Sequence, residues 1–309
     1  MKLLLILVLC SFALANTSPK KSITASGLVT DLSVDTTKIY AGTTVGIVDI
    51  FDKTTYKKLK TIKFPKITNF IGESLSPKIF SVDAMAMDVL TVCEDKDGYR
   101  SLFKNDKKIL GSEAHLFIKK ASFITKDKVL LGLLSNEIML LDLNTKKIFY
   151  TNQINTSTFS DFALSEDKRF AFIADESGKI TAINTLNGKV VATFGGLNVD
   201  NIYQIDYKNS IILGCGQDRR LSIYDIKTKT KYYLEGSFLI YSGALSPSGK
   251  RGAFAFDKNN NLKVFDLASR KELAILTGSK ANLTRTIFLN ENEIIASSED
   301  KKINIWRIK

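Results

Sequence analysis

Leu221-Ser222-Ile223-Tyr224-Asp225, Leu262-Lys263-Val264-Phe265-Asp266 and Ile303-Asn304-Ile305-Trp306-Arg307 are three copies of one short segment. Each alternates apolar and polar residues, sets an aromatic residue fourth, and two of the three close on Asp. Upstream the same pattern recurs as Val48-Asp49-Ile50-Phe51-Asp52, Ile138-Met139-Leu140-Leu141-Asp142 and Ile180-Thr181-Ala182-Ile183-Asn184. A weaker copy is Arg100-Ser101-Leu102-Phe103-Lys104. The fifth positions fall at 52, 104, 142, 184, 225, 266 and 307, so the gaps are 52, 38, 42, 41, 41 and 41. Period-two alternation marks a strand with one buried face. Recurrence of such a strand at this spacing matches the ~40–45 residues of a four-stranded propeller blade. Seven copies predict an all-β fold, a seven-bladed propeller with four antiparallel strands per blade.

The rest of each unit fits. In 160–196, Ser160 to Leu164 reads as strand a, Ser165-Glu166-Asp167-Lys168 as a turn and Phe170 to Ala174 as strand b. Asp175-Glu176-Ser177-Gly178 is the next turn, Lys179 to Ile183 is strand c, Asn187-Gly188 signals a hairpin and Val190 to Phe194 is strand d. Strand b is an unbroken apolar run in several units, as in Ile211-Ile212-Leu213-Gly214-Cys215, which suits a strand covered on both faces. The last unit stops after strand c at Lys309. The stretch Lys21-Ser22-Ile23-Thr24-Ala25-Ser26-Gly27 precedes the first strand a and resembles a strand d, so it is expected to complete blade seven and leave no open sheet edge.

Residues 1–15 read as a cleavable secretory signal. Met1-Lys2 is basic, Leu3 to Leu14 is almost wholly apolar, and Ala13-Leu14-Ala15 is an A-x-A cleavage site. Leu9 before Cys10 is too large for a lipid-attachment site. No further apolar run reaches the ~18 residues of a membrane span. The expectation is an exported protein, cut after Ala15, whose residues 16–309 form one domain and act as a monomer. Cys93 and Cys215 fall in inner strands of different blades, too far apart to bridge, and read as free buried thiols. The formal charge is +12 and becomes +11 when Lys2 is removed. The lysines are spread evenly, mostly in turns, without a dense basic run, which argues against nucleic-acid binding.

Little in the chain points to chemistry. One histidine, His115, cannot form a metal or acid–base cluster. There is no C-x-x-C, no nucleophile elbow and no phosphate-binding glycine loop. Cys93-Glu94-Asp95-Lys96-Asp97-Gly98 lacks the ligand spacing of a calcium loop and reads as a turn. Asp175, Asp218, Asp257 and Asp300 each precede a strand c; their repetition in register suits turn-capping carboxylates better than a catalytic set. No catalytic residue, cofactor or metal site is expected. Aligning the starts of strand a places Lys120, Ser160, Tyr203, Tyr241 and Arg285 in one column on a rim of the ring. Tyr and Arg are interface-anchoring residue types, so the column either binds a protein partner through Lys120, Tyr203, Tyr241 and Arg285 or walls the central channel.

The units resemble WD40 repeats. Leu245-Ser246-Pro247-Ser248-Gly249-Lys250, Ser297-Ser298-Glu299-Asp300-Lys301-Lys302 and Ile303-Asn304-Ile305-Trp306-Arg307 look like that family's strand a turn, b–c turn and strand c, and the resemblance spans about 22–309. The Gly-His pair is missing from every unit, and Phe-Asp, Leu-Asp or Tyr-Asp replaces Trp-Asp, so the family's His–Asp–Trp hydrogen-bond chain does not carry over. Export, blade count and a composition rich in Lys, Ile and Asn are similar to those of the NapL family, periplasmic accessory proteins of the nitrate reductase system in epsilon-proteobacteria. That resemblance implies a periplasmic scaffold that docks nitrate reductase subunits or their maturation factors on a ring face. The alternatives are another exported scaffold, such as an envelope assembly factor, or a propeller enzyme.

Overall fold

In the computed structural model, residues 16–69 and 71–308 are described; the predicted signal segment 1–15 lies outside them. The chain forms seven antiparallel blades around one axis. Blades one to six occupy 29–63, 79–110, 118–153, 159–194, 202–235 and 243–276, and blade seven starts at 283. Strand a of each blade lies beside strand a of the next, and Leu283–Asn290 of blade seven lies beside Val29–Val34 of blade one, so the ring closes. The fourth strand of blade seven is Lys21–Thr24, antiparallel to Lys302–Arg307 with Ile23 opposite Ile303, as the sequence predicts. The chain adds one feature that the pattern did not reveal. Asn16–Thr17 runs parallel to Glu272–Leu276, as a fifth strand on blade six. The terminus therefore staples two blades.

The core is seven cores. Each cluster of buried apolar side chains joins two consecutive blades: Leu90, Leu102 and Phe123 between blades two and three, Ala255, Leu276 and Trp306 between six and seven, and Ile23, Phe51 and Ile305 between seven and one. Strand b supplies the residues with least exposure, including Val129, Leu130 and Leu131 at 0%. They face neighbours on both sides, which is why strand b reads as an unbroken apolar run. Trp306 is wholly buried and donates its indole N–H to the Thr277 carbonyl at 2.9 Å, so its one polar atom is satisfied. Cys93 and Cys215 are buried free thiols, as expected.

The Asp that ends strand c has a physical reason. Asp52 accepts the N–H groups of Thr54 and Thr55 at 3.0 and 2.6 Å and the Thr55 hydroxyl at 2.9 Å. Asp142 does the same with Asn144 and Thr145, and Asp225 with Lys227 and Thr228. The next residue takes a left-handed conformation: φ is 59° at Tyr56, 60° at Lys146, 59° at Lys229 and 60° at Arg270. Only blade four has glycine there, Gly188, φ 72°. The carboxylate cap holds a turn that blades one, three, five and six form without glycine. The b–c turn aspartates also cap. Asp175 accepts the Ser177 N–H at 2.8 Å and Asp300 the Lys302 N–H at 2.6 Å. The long step from 52 to 104 comes from the connection between blades one and two, which carries a small hairpin of Ile67–Thr68 and Ser74–Leu75.

A chain beginning at residue 27 lacks the outer strand of blade seven and the buried Ile23, which alone is worth about 3 kcal/mol. It should melt lower and aggregate through the bared edge of Lys302–Arg307. A peptide of residues 16–26, added in trans, should restore the melting temperature. An unchanged melting temperature in the truncated chain would rule out closure by this strand.

Candidate functional site

Strands a and c run one way through each blade and b and d the other. The d–a and b–c connections therefore share one face, here the entry face, and the a–b and c–d turns share the exit face. A bulge recurs near the start of strand a, with register shifts between Val29 and Asp31, Ile118 and Lys120, Phe159 and Asp161, Ile202 and Gln204, and Leu283 and Arg285. The extra residue stays on the entry-face rim and the next one turns into the channel.

The residues turned inward tie each blade to the next. The Asp31 carboxylate accepts the Val82 N–H at 2.8 Å. Ser81 Oγ accepts the Ala121 N–H at 3.3 Å, and Lys120 Nζ donates to the Phe162 carbonyl at 2.7 Å. Asp161 accepts the Ile205 N–H at 3.1 Å, Gln204 donates to the Gly243 carbonyl at 3.2 Å, and Ser242 donates to Thr286 Oγ1 at 2.8 Å. One turn along the strand, Asp83 and Asp206 accept the N–H groups of Phe123 and Leu245, each at 2.8 Å. The seventh inward residue, Arg285, crosses the channel. Its Nη1 meets Asp161 Oδ2 at 2.9 Å, from blade seven to blade four, and Lys120 Nζ meets Asp161 Oδ1 at 2.5 Å.

This cluster forms a waist. A cavity of ≈ 500 Å³ on the exit side and one of ≈ 130 Å³ on the entry side share Asp31, Lys120, Gln204 and Arg285 as walls. Burial alone would raise the Asp161 carboxyl, but Lys120 and Arg285 hold it below the ordinary value. Burial lifts Asp31 above it, against the pull of Arg285 and Lys120. Asp161 pairs with both cations of the waist, Lys120 and Arg285, while Asp31 forms no ion pair and accepts the Val82 N–H. Among the described residues no three His, Cys, Asp or Glu side chains are grouped to hold a metal ion, and no helix is long and apolar enough to cross a membrane.

The four residues expected on the rim separate. Lys120 and Arg285 lie in the waist, committed to Asp161; the residues that share the rim column with Ser160, Tyr203 and Tyr241 are their predecessors, Lys119 and Thr284. The bulge caused the slip, because one inserted residue inverts the inward–outward alternation beyond it. Tyr203 and Tyr241 do meet on the rim, stacked with centroids 5.2 Å apart, and Tyr203 Oη donates to Gln217 at 2.8 Å. Sequence reasoning missed Asp161, Phe80, Arg100 and Lys119. The signal for Asp161 was the one charged residue inside Phe159–Leu164. Phe80 lies on the rim with the Arg100 guanidinium 3.6 Å over its ring. The entry-face connections also expose Leu28 (44%), Phe117 (42%) and Val199 (70%). His115 is exposed at the same face, edge-on to Tyr99.

No protein-family model matches the chain, and no curated protein matches its sequence. The shared ground with known proteins is the propeller fold, which in general serves as a scaffold for protein interactions.

Asp161→Asn leaves Lys120 and Arg285 unpaired and should destabilise the protein by about 3 kcal/mol at pH 7. Because the folded value of Asp161 lies below the ordinary 3.8, its stabilisation is complete above pH 3.8 and is lost as pH falls through that lower value. The deficit of the variant in urea unfolding should therefore shrink below pH 3.8. A deficit that is constant with pH would contradict the charge cluster.

Proposed function

We propose that this protein is an exported, non-catalytic scaffold that holds another protein on its entry face. The observation that carries the reading is the contrast between channel and face. In the waist Lys120 and Arg285 are both committed to Asp161, whereas Tyr203, Tyr241, Phe80 and the exposed apolar connections collect on the entry face. Aromatic residues set among apolar contacts and a polar surround are the composition of protein-binding patches. The leader-like residues 1–15 support export. The whole-chain resemblance to the NapL family supports the periplasm as the compartment and the nitrate reductase system as the source of the partner. In this role the propeller presents a rigid platform and the partner supplies any chemistry.

The test is a pull-down from periplasmic extract with the mature protein tagged at its C-terminus, read by mass spectrometry beside Tyr203→Ser/Tyr241→Ser. Nitrate reductase subunits or their maturation factors should be enriched by the wild type and reduced about tenfold or more in the double variant, as for truncation of paired interface aromatics. Enrichment of envelope assembly proteins instead, or of nothing specific, would retire the nitrate reductase assignment. Capture indifferent to the tyrosines would move the binding surface elsewhere.

A further inference from the structure

Between blades one, two, three and seven the entry face opens into a pocket of ≈ 740 Å³. Its walls include Leu28, Lys78, Phe80, Arg100, Lys119 and Leu134. Three cations face one carboxylate, Glu299, which is hydrogen-bonded to Asn282 at 3.2 Å. None of the three cations forms an ion pair among the described residues. Arg100 Nη1 donates to the Ile118 carbonyl at 2.9 Å, and its Nε is buried without a hydrogen-bond partner. Lys119 Nζ donates to the Phe159 carbonyl at 3.3 Å. Glu94 acts on Arg100, and Asp161 and Glu176 on Lys119, but none of them forms an ion pair with either cation. Asp161 holds Lys120 and Arg285, and Glu94 accepts the Lys78 N–H at 3.0 Å.

Burial consequently penalises both cations. It lowers Lys119 below the usual lysine range and lowers Arg100 to about 10. A partly buried cation without a carboxylate is unfavourable to leave and favourable to fill. The waist shows the contrast, since there the same chain pairs every such cation. Beside the charge, Leu28, Phe80 and Leu134 offer apolar contact, so the pocket matches a chain carrying both kinds of group.

We propose that this pocket receives an acidic segment of the protein partner, with one Glu or Asp carboxylate seated between Arg100 and Lys119 and a neighbouring apolar side chain against Phe80 and Leu28. The proposal rests on the scaffold reading and adds the chemistry of what is recognised. The partner's carboxylate replaces water around the two cations and forms charge-assisted hydrogen bonds, while the Phe80 ring fixes the guanidinium plane.

The probe is a panel of fluorescein-labelled, N-acetylated octapeptides in which Glu alternates with Leu or Phe, beside matched peptides with Gln for Glu, read by fluorescence anisotropy. The wild type should bind the tightest Glu peptide about tenfold or more tighter than its Gln match. Arg100→Gln and Lys119→Gln should each remove most of that preference and leave the Gln series unchanged. Lys119→Arg should keep it, as should Lys57→Gln on the exit face. Lys119→Gln gives up the hydrogen bond to the Phe159 carbonyl, so every variant is read well below its own melting point; loss of the Glu preference in Lys119→Arg as well would mark the residue as structural and overturn the proposal. Equal affinity for Glu and Gln peptides across the panel, or full binding by both Gln variants, would also overturn it. Inorganic phosphate is the competing small anion, and a site that takes it more tightly than every peptide is not a partner pocket. In the pull-down, capture of a partner that is unaffected by Arg100→Gln/Lys119→Gln retires the pocket and keeps the scaffold. A Glu preference without capture keeps the pocket and retires the nitrate reductase assignment.

Discussion

The ring depends on polar side chains of one blade gripping the backbone of the next. An innermost strand has a ladder partner on one side only, and its other row of N–H and C=O groups would face the channel unpaired. Asp31, Ser81, Lys120, Asp161 and Gln204 bond to that second row, blade by blade, and Ser242 reaches the Thr286 hydroxyl of blade seven instead. The chemistry varies from carboxylate to hydroxyl to ammonium while the position stays constant. What each site requires is a polar atom of the right reach, and either a donor or an acceptor can be matched by turning to the neighbour's carbonyl or amide.

This arrangement decides where recognition can occur. Arg285 has no role on the next blade and instead spans the channel to Asp161, three blades back along the chain. That bond and the Lys120 pair fill the axis with compensated charge. Compensated buried charge contributes specificity of geometry more than net stability, and it leaves little free valence for a ligand. One residue earlier, the bulge leaves Phe80, Lys119 and Tyr203 on the rim, beside Tyr241 at the entry to blade six, and there the Lys119 charge has no ion pair. In the six blades that carry it, a single inserted residue thus separates the channel from the rim.

The fold was largely legible because strand c repeats its alternation and its terminal Asp at a near-constant step. Seven copies told the blade number, and the missing seventh outer strand told where Lys21–Thr24 must go. The site was only half legible. Tyr203 and Tyr241 fall on the rim where the alignment of strand starts in blades five and six puts them. Lys120 and Arg285 were misplaced because a bulge has no residue signature of its own, and one residue of slip exchanges channel for rim. The Arg285–Asp161 contact joins residues 124 apart, and no local pattern encodes it. The left-handed turn residues were hidden for a related reason: Tyr56, Lys146 and Arg270 replace the expected glycine because Asp52, Asp142 and Asp266 cap the turn from the preceding strand.

The most direct measurement is native-state amide hydrogen exchange at Val82, Phe123, Ile205 and Leu245, whose N–H groups point away from their own ladders to carboxylates of the preceding blade. If these carboxylates hold the ring, the four amides exchange only with global unfolding, as slowly as those of strand b. Fast exchange at these four, with strand b protected, would show that the blades are held by apolar packing alone and would contradict that hold.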